Sequence, residues 1–414
     1  MNQIKSNLYS RQIGAIGKET MKTISNLTVY IIGLDSVGFE TAKCLVLMGI
    51  KKLYIYDPRK IVTRIKGTNF ALSNHIIDKS QNKRVDTTCI SYFQQLNNYV
   101  DVQVLNFTVQ NLKKSNIDVL IQTKLTKIIG TNPIKMNDLC RSNGIKYILC
   151  SVMGYVGYIF SDFGTSHTIH DWNGEKYKSC FVKNIEHTTT QTLLYLDNVG
   201  NDEQFCQGDY FKFSENSGME GTYQAEKVNK IDENCQVLII NGILNLSSNT
   251  KLHIYEVKPD QIMSFKTLKT VLDEGPTYPN VTINETNHQK CINVIEDIHS
   301  IIKKPILIDK TDHLFKGLPI NTRFEFPIVG SMVGAIVASE MLKLGGKYTP
   351  LHQECLINYS ELYDEKELYK SKTITKHLDL HKLLPKKMIQ YLKKMNVFVV
   401  GCGALGCEYL KLLS

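Results

Sequence analysis

Short apolar runs, each followed by a stretch of helical period, set the rhythm of the first 150 residues. "TVYII" at 28–32 is a continuous apolar and β-branched run of strand length, and it predicts a strand buried on both faces. A helix is predicted from there to Met48, with Gly49 as its stop. "KLYIY" at 52–56 predicts the next strand, ending on Asp57. Further runs at 100–107, 118–123 and 146–152 predict three more, with helical segments between most of them. Strands alternating with helices predict a doubly wound α/β sheet.

Around residue 165 the texture changes. From Thr168 to about Val257 the apolar segments are short and separated by polar turns, as in "SCFVKNI", "TLLYLDNVG" and "KLHIYEV", which predicts a small β-barrel or sandwich inserted into the α/β chain. Helical patterns return from Ser264 to about His299, broken by the Pro- and Asn-rich "GPTYPNVTINETN". A long apolar helix is predicted at 327–346 and a strand at 354–359, together completing the first sheet across the insertion. The charged stretch 362–382 reads as a partly helical connector. The last residues, "NVFVVGCGALGCEYLKLLS", predict a buried strand, a G-x-G-x-x-G turn and the start of a helix, the pattern with which a fold begins to grip a phosphate.

That ending repeats an earlier one. Shifted by 368 positions, Val29 meets Val397, Gly33 meets Gly401, Gly38 meets Gly406, Glu40 meets Glu408, Lys43 meets Lys411 and Leu45 meets Leu413. A constant shift through six identities points to two homologous α/β domains in tandem. One column differs: Asp35 stands where the second copy has Gly403. The middle glycine lets backbone approach phosphate without a Cβ, and an aspartate there adds bulk and negative charge beside an anion. The first copy is therefore expected to keep the fold and lose the phosphate site. Asp57, 24 residues after Gly33, stands near where such a fold holds a ribose.

Composition narrows the classes. The net charge of +9 comes from lysines scattered along the chain, with no basic stripe interleaved with aromatics, so no nucleic-acid partner is expected. The eleven cysteines include no C-x-x-C pair, which argues for reduced thiols and against a disulfide framework or zinc site. His167-x-x-His170 and His377-x-x-x-His381 have metal-like spacing but no evident third ligand, so no metal site is expected. The start "MNQIKSNLYSRQIG" has no apolar signal region, and the longest apolar run is too short to span a bilayer, so no membrane partner is expected either.

The motifs together resemble a family. "LYSRQIGAIGKETMKTISNLTVYIIGLDSVGFETAKCLVLMGIKKLYIYD" at 8–57 resembles the N-terminal, inactive adenylation domain of ubiquitin-activating enzymes. "SDFGTSHTIHD" at 161–171 and "GDYFKFSENSGMEG" at 208–221 resemble the entry and core of that family's first catalytic-cysteine half-domain, and "IYEVKPDQIMSFKTLK" at 254–269 its exit into a helical bundle. "SMVGAIVASEMLKLGGKYTPLHQECLINYSEL" resembles the return to the inactive sheet, and "VFVVGCGALGCEYLK" the opening of the active adenylation domain. The implied fold is a Rossmann-like adenylation domain of the ThiF/MoeB type with an inserted small β-barrel and a short helical segment. The implied order is the first part of the inactive adenylation domain at 1–164, the β insert at 165–258, a short helical bundle at 259–326, the second part of the inactive domain at 327–372, and a connector with the truncated start of the active domain at 373–414.

The family adenylates the C-terminal glycine of ubiquitin with ATP and Mg²⁺, then captures it on a cysteine. The resemblance implies ubiquitin as partner, ubiquitin-conjugating enzymes recruited through domains outside this chain, a pseudo-dimer with the chain's own active domain, and a cytoplasmic and nuclear setting. It implies that Arg11, in "YSRQI", reaches across the pseudo-dimer to the ATP phosphates, and that Gly401, Gly403, Ala404 and Gly406 form the phosphate loop. It implies no thioester cysteine in this stretch, with Cys180, Cys206 and Cys235 read as buried apolar thiols, and no activity for the stretch by itself. "TNFALS" at 68–73 puts Thr68 in the column of an active domain's arginine, a second sign of an inactive first domain. The family's Tyr-Asp-x-Gln segment is replaced by "KHLDLHK", and the helical bundle is short and poorly matched. Two other readings compete: a stand-alone pseudo-enzyme subunit of a modifier-activating complex, against which the β insert and second glycine loop speak, and an NAD-dependent oxidoreductase, against which Asp35 speaks.

Overall fold

The computed structural model describes residues 7–61, 82–125, 132–197, 204–214, 219–231, 235–245, 252–304, 315–318, 325–362 and 383–413. The segments "TNFALS" and "KHLDLHK", with His377 and His381, lie outside them. The chain divides into two compact units, Met1–His167 with Met263–Gly345 and Pro350–Ser414, and Thr168–Ile262 with Gly346–Thr349.

In chain order the elements are α1 (Ser10–Ile16), α2 (Lys18–Ile24), β1 (Thr28–Ile32), α3 (Ser36–Met48), β2 (Lys52–Tyr56), α4 (Val85–Leu96), β3 (Asp101–Val104), α5 (Val109–Lys114), β4 (Val119–Gln122), α6 (Pro133–Ser142), β5 (Lys146–Met153), β6 (Val156–Asp162) and β7 (His167–Ile169). Then come β8 (Ser179–His187), β9 (Gln191–Asp197), β10 (Tyr210–Phe213), β11 (Tyr223–Gln224), β12 (Lys227–Lys230), β13 (Gln236–Asn241), β14 (Leu252–Val257) and β15 (Gln261–Met263). The chain closes with α7 (Leu268–Glu274), β16 (Val281–Ile283), α8 (His288–Lys303), α9 (Pro327–Lys343), β17 (Glu354–Asn358), α10 (Lys386–Leu392) and α11 (Ala404–Leu413).

The first unit is built on an eight-stranded sheet of order β16-β17-β6-β5-β4-β1-β2-β3. Strands β3, β2, β1, β4 and β5 are parallel, while β6 runs antiparallel to both β5 and β17. Alternate residues of β1 feed two cores: Val29 and Ile31 join α3, α4 and α9 on one face, Tyr30 and Ile32 join α5 to α8 on the other. The chain order reverses between β1 and β4, and the turn after β1 opens there, which is where open α/β sheets bind ligands. The third expected strand is shorter than its apolar run, and the Pro- and Asn-rich break in the expected helical stretch carries β16, which pairs in parallel with β17 at the sheet edge. Nothing in "NVTIN" by itself decides between coil and strand; the open edge of β17 does.

Helix α9 packs tightly on α3 through a small-residue stripe. A Cβ on Gly330 would lie 2.3 Å from Ser36 Oγ, and one on Gly334 would lie 2.8 Å from Glu40 Cβ and 2.9 Å from the Val37 carbonyl. Gly157 on β6 makes room for the same helix, since a Cβ there would lie 2.5 Å from Val333.

The second unit is antiparallel, in the order β11-β10-β14-β8-β9-β13-β12. Its two edge strands follow each other directly in the chain. Ala225 bonds to the β10 side through Asp209, and Glu226 to the β13 side through Ile239, so residues 223–230 close the sheet into a barrel. Phe205, Phe211, Leu194, Leu238 and Ile254 fill its interior. The 346–349 turn belongs to this unit: its backbone pairs with residues 170–172, and Tyr348 packs on Gly174.

Candidate functional site

The two glycine loops have the same backbone turn. Gly33 has φ +97° and Gly401 φ +93°, the left-handed region open to glycine. A Cβ on Gly38 would lie 2.0 Å from the Gly33 carbonyl oxygen, and one on Gly406 2.1 Å from that of Gly401. The first and third glycines of each loop are thus required by local sterics.

The loops differ in what meets their amides. In the first, Asp35 caps α3, one oxygen accepting from Gly38 N–H at 3.1 Å and the other from Thr123 Oγ1 at 2.8 Å. Glu325 accepts from Ser36 N–H at 3.0 Å and Ser36 Oγ at 2.6 Å. Asp57 accepts from Leu34 N–H at 2.9 Å and is gripped by Arg59, Nε at 2.7 Å and Nη2 at 2.5 Å. Burial works against the Arg59 charge, but Asp57, Asp35 and Glu325 outweigh it and raise the guanidinium pKa. Backbone N–H groups at a strand-to-helix turn are where phosphate binds. In this loop carboxylates of the chain itself accept from all three, so Asp57 is engaged as a structural anchor in the place where a ribose contact was expected. The sequence points to Asp35. Glu325, 289 positions from Ser36, carries no sequence signal.

In the second loop Gly403 replaces Asp35, and no heavy atom lies within 4 Å of where its Cβ would be. Cys407 N–H bonds back to the Gly403 carbonyl and α11 begins at Ala404. The predicted buried strand before this loop does not form. Residues 395–400 have no regular structure, and Val397, Phe398 and Val400 are 52%, 91% and 84% exposed. A strand needs a neighbour for its backbone groups, and the described residues give 395–400 none. The exposed run, the loop and α11 line an open groove with Ile328.

Helix α11 is tied to α3 by reciprocal ion pairs. Lys43 meets Glu408 at 2.7 Å and Lys411 meets Glu40 at 3.2 Å, with Lys43–Glu40 at 2.6 Å and Lys411–Glu408 closing the ring within each helix. These are the positions related by the 368-residue shift, so the cross-pairing is that of an isologous contact. The Lys43 and Glu40 side chains are 7% and 8% exposed. Burial opposes the Lys43 charge, yet Glu40 and Glu408 overcome it and raise its pKa. The Glu–x–x–Lys recurrence in both copies was the available sequence signal for this contact.

Arg11 sits exposed on α1 and makes no hydrogen bond or ion pair among the described residues. Its helix is pinned to the end of α3: Asn97 donates to Tyr9 Oη at 2.7 Å, Gln12 donates to the Met48 carbonyl at 3.1 Å, and Tyr9 covers Gly49. Gly401, Gly403, Ala404 and Gly406 come together in one loop, and no hydrogen bond or ion pair joins Arg11 to it among the described residues. Of the insert cysteines, Cys180 is buried, Cys235 half-buried and Cys206 exposed, which corrects the reading of Cys206 as a core thiol. Among the described residues no group of three His, Cys, Asp or Glu side chains suits a metal ion, and no helix is long and apolar enough to cross a membrane.

The family model described as ThiF family matches residues 9–377. The chain is 29% identical over 459 residues to ubiquitin-like modifier-activating enzyme 1 of Dictyostelium discoideum, covering 99% of this chain and 43% of the relative. It is 29% identical over 453 residues to ubiquitin-activating enzyme E1 1 of Candida albicans (strain WO-1), with the same coverage. It is 26% identical over 460 residues to ubiquitin-like modifier-activating enzyme 6 of Mus musculus, covering 99% and 42%. The chain thus spans less than half the length of these relatives. With a family match running through most of its residues and the doubly wound sheet that the match implies, the chain belongs to the ThiF family.

Proposed function

We propose that this chain is the scaffold half of a ubiquitin-activating enzyme, whose complete polypeptide adenylates the C-terminal glycine of ubiquitin and passes it to a cysteine outside these 414 residues. The observation that carries this reading is the contrast between two homologous loops. One has its amides filled by Asp35, Asp57 and Glu325, and the other keeps an open middle glycine. A tandem pair with one closed and one open loop is suited to a single nucleotide, with the closed copy as support.

The open loop fits the phosphates of ATP. Gly403 leaves room for close approach, and the α11 amides follow directly. Bound ATP supplies the α-phosphate that the ubiquitin carboxylate attacks. The residues of this chain bind and orient: Gly401 to Gly406 cradle phosphate, the Lys43–Glu408 and Lys411–Glu40 pairs hold the two copies in register, and Arg11 offers a guanidinium to the phosphate charge. Mg²⁺ belongs to the family's reaction, but the described residues contain no metal-ligand cluster, so no step is assigned to it. The β insert contributes contact with ubiquitin, and ubiquitin-conjugating enzymes engage other parts of the polypeptide.

The test is ubiquitin-dependent ATP–pyrophosphate exchange in the intact polypeptide. Arg11→Ala is expected to lower exchange by about a hundredfold, the scale of losing one preorganised charge contact in a transition state. Its stability should stay within about 0.5 kcal/mol, as for an exposed side chain without partners. Exchange at the parent rate would rule out the role of Arg11. Absence of exchange in the parent polypeptide would overturn the whole reading.

A further inference from the structure

We infer that Tyr9, Gln12 and Asn97 are positioning residues, which set the place of the Arg11 guanidinium by tying the chain on both sides of it to the end of α3. This rests on the proposed contact of Arg11 with phosphate charge.

Helix α1 has seven residues and none of them is buried. A helix of that length is not stable by itself in water, so its position comes from what it is fastened to. Ile16, at its far end, packs against the core of the sheet. At the near end, where Arg11 is the second helical residue, the fastening is polar. Tyr9, the N-cap residue, is 6% exposed, and a Cβ on Gly49 would lie 2.4 Å from its phenol oxygen. Gln12, the residue after Arg11, donates to the Met48 carbonyl at 3.1 Å. Arg11 is thus bracketed by two attachments to one helix terminus.

Asn97 joins these attachments to the rest of the unit. It follows α4 directly and is 9% exposed. Its amide donates to Tyr9 Oη at 2.7 Å and to the Val46 carbonyl at 2.8 Å, while its Oδ1 accepts from Tyr99 N–H at 3.1 Å. Both donors and the acceptor are engaged, which fixes the orientation of the side chain. Val46 and Met48 lie in the last turn of α3, where helix carbonyls stand open to outside donors.

The Arg11 side chain makes no bond of its own among the described residues, so the backbone it hangs from sets its direction. Helix α3 also carries Glu40 and Lys43, which pair with α11 behind the second glycine loop. One element therefore holds both proposed phosphate contacts in mutual register. A misplacement of about 1 Å at a reacting centre can cost on the order of a hundredfold in rate.

The test is a double-mutant cycle in the intact polypeptide, read by ubiquitin-dependent ATP–pyrophosphate exchange. Tyr9→Phe with Gln12→Leu removes both polar attachments of α1 and keeps their volume. This variant is expected to lower exchange roughly tenfold or more, and Asn97→Ala should do the same. In an Arg11→Ala background the same substitutions should change exchange by less than about twofold, since no guanidinium is left to misplace. An equal fall in both backgrounds would mean a general structural role and overturn the inference. Exchange at the parent rate in the tether variants, with Arg11→Ala slow, would also overturn it and leave Arg11 in its role. Exchange at the parent rate in Arg11→Ala would remove Arg11 itself and the inference with it. Should the double substitution lower the urea midpoint, the cycle is read with Tyr9→Phe alone, which keeps the ring on Gly49.

Discussion

Asp35 illustrates how one residue serves two purposes. Its carboxylate caps α3 and holds Thr123, and it also sits where a phosphate-binding loop has bare backbone. Asp35→Ala should cost about 1 kcal/mol through the lost cap, measured by urea unfolding. Asp35→Gly restores the glycine column but leaves Glu325 on Ser36 and Asp57 on Leu34. Titration calorimetry is therefore expected to find no binding of pyrophosphate to this variant, and heat of binding would mean that Asp35 alone closes the loop. Asp35 was legible in the sequence because it stands in a repeat column opposite Gly403. Glu325 was not, because its partner is far along the chain.

At the scale of elements, two contacts position α3. The close approach of α9 depends on Gly334, whose replacement by alanine forces the backbones apart. Overpacking of this kind costs about 1–3 kcal/mol, and Gly334→Ala should lower the urea midpoint accordingly. The contact with α11 depends on charge register. Glu40→Lys with Lys43→Glu keeps the pair within α3 but sets like charges across the interface. Amide exchange in 404–413 should accelerate in that variant and return to the parent rate when Glu408→Lys and Lys411→Glu are added. Acceleration in both would mean that charge register is not what holds the helix. The pH dependence follows from Glu408. Burial works against its ionised form, but hydrogen bonds from Lys411 and Lys43 outweigh this, and its pKa lies below the ordinary carboxyl value. A depressed carboxyl pKa stabilises the docked state above the ordinary value of about 4.3 and loses that contribution as pH falls through the lower, docked-state value. Corrected for intrinsic rates, protection of α11 should therefore fall in that acid window and not between pH 5 and 8.

Across the whole molecule, an α/β sheet carries a barrel as an insertion, and each unit has its own core. The barrel unit gathers its entry loop on Lys258, whose ammonium donates to Asp171 Oδ1 and Asn173 Oδ1, both at 2.7 Å, and to the Glu175 carbonyl at 2.8 Å. Lys258→Met keeps the stem and removes these three bonds, leaving Asp171 Oδ1 with Gly174 N–H and Asn173 Oδ1 with Glu175 N–H, at a total cost of about 1–3 kcal/mol. Exchange should accelerate at 171–175 and in the 346–349 turn that pairs with this loop, while the parallel strands keep their protection. Uniform loss of protection in both units would count against a local role.

By itself the sequence determined whatever is decided by near neighbours. The bounds of β1, β2 and α3 follow from apolar period and glycine stops. The identical turns at Gly33 and Gly401 follow from the clash that any Cβ on Gly38 or Gly406 would make. The repeat, the insertion and the contrast of Asp35 with Gly403 were equally visible, because each is a pattern along the chain. Tertiary structure alone decided which groups meet across long separations. It made a strand of Val281–Ile283, because β17 offered an open edge, and left "NVFVV" without one, because no described strand lies beside it. It also brought Glu325 to Ser36 and closed the first loop. A hydrogen bond needs its partner within about 3 Å, and only the folded chain fixes which partner that is.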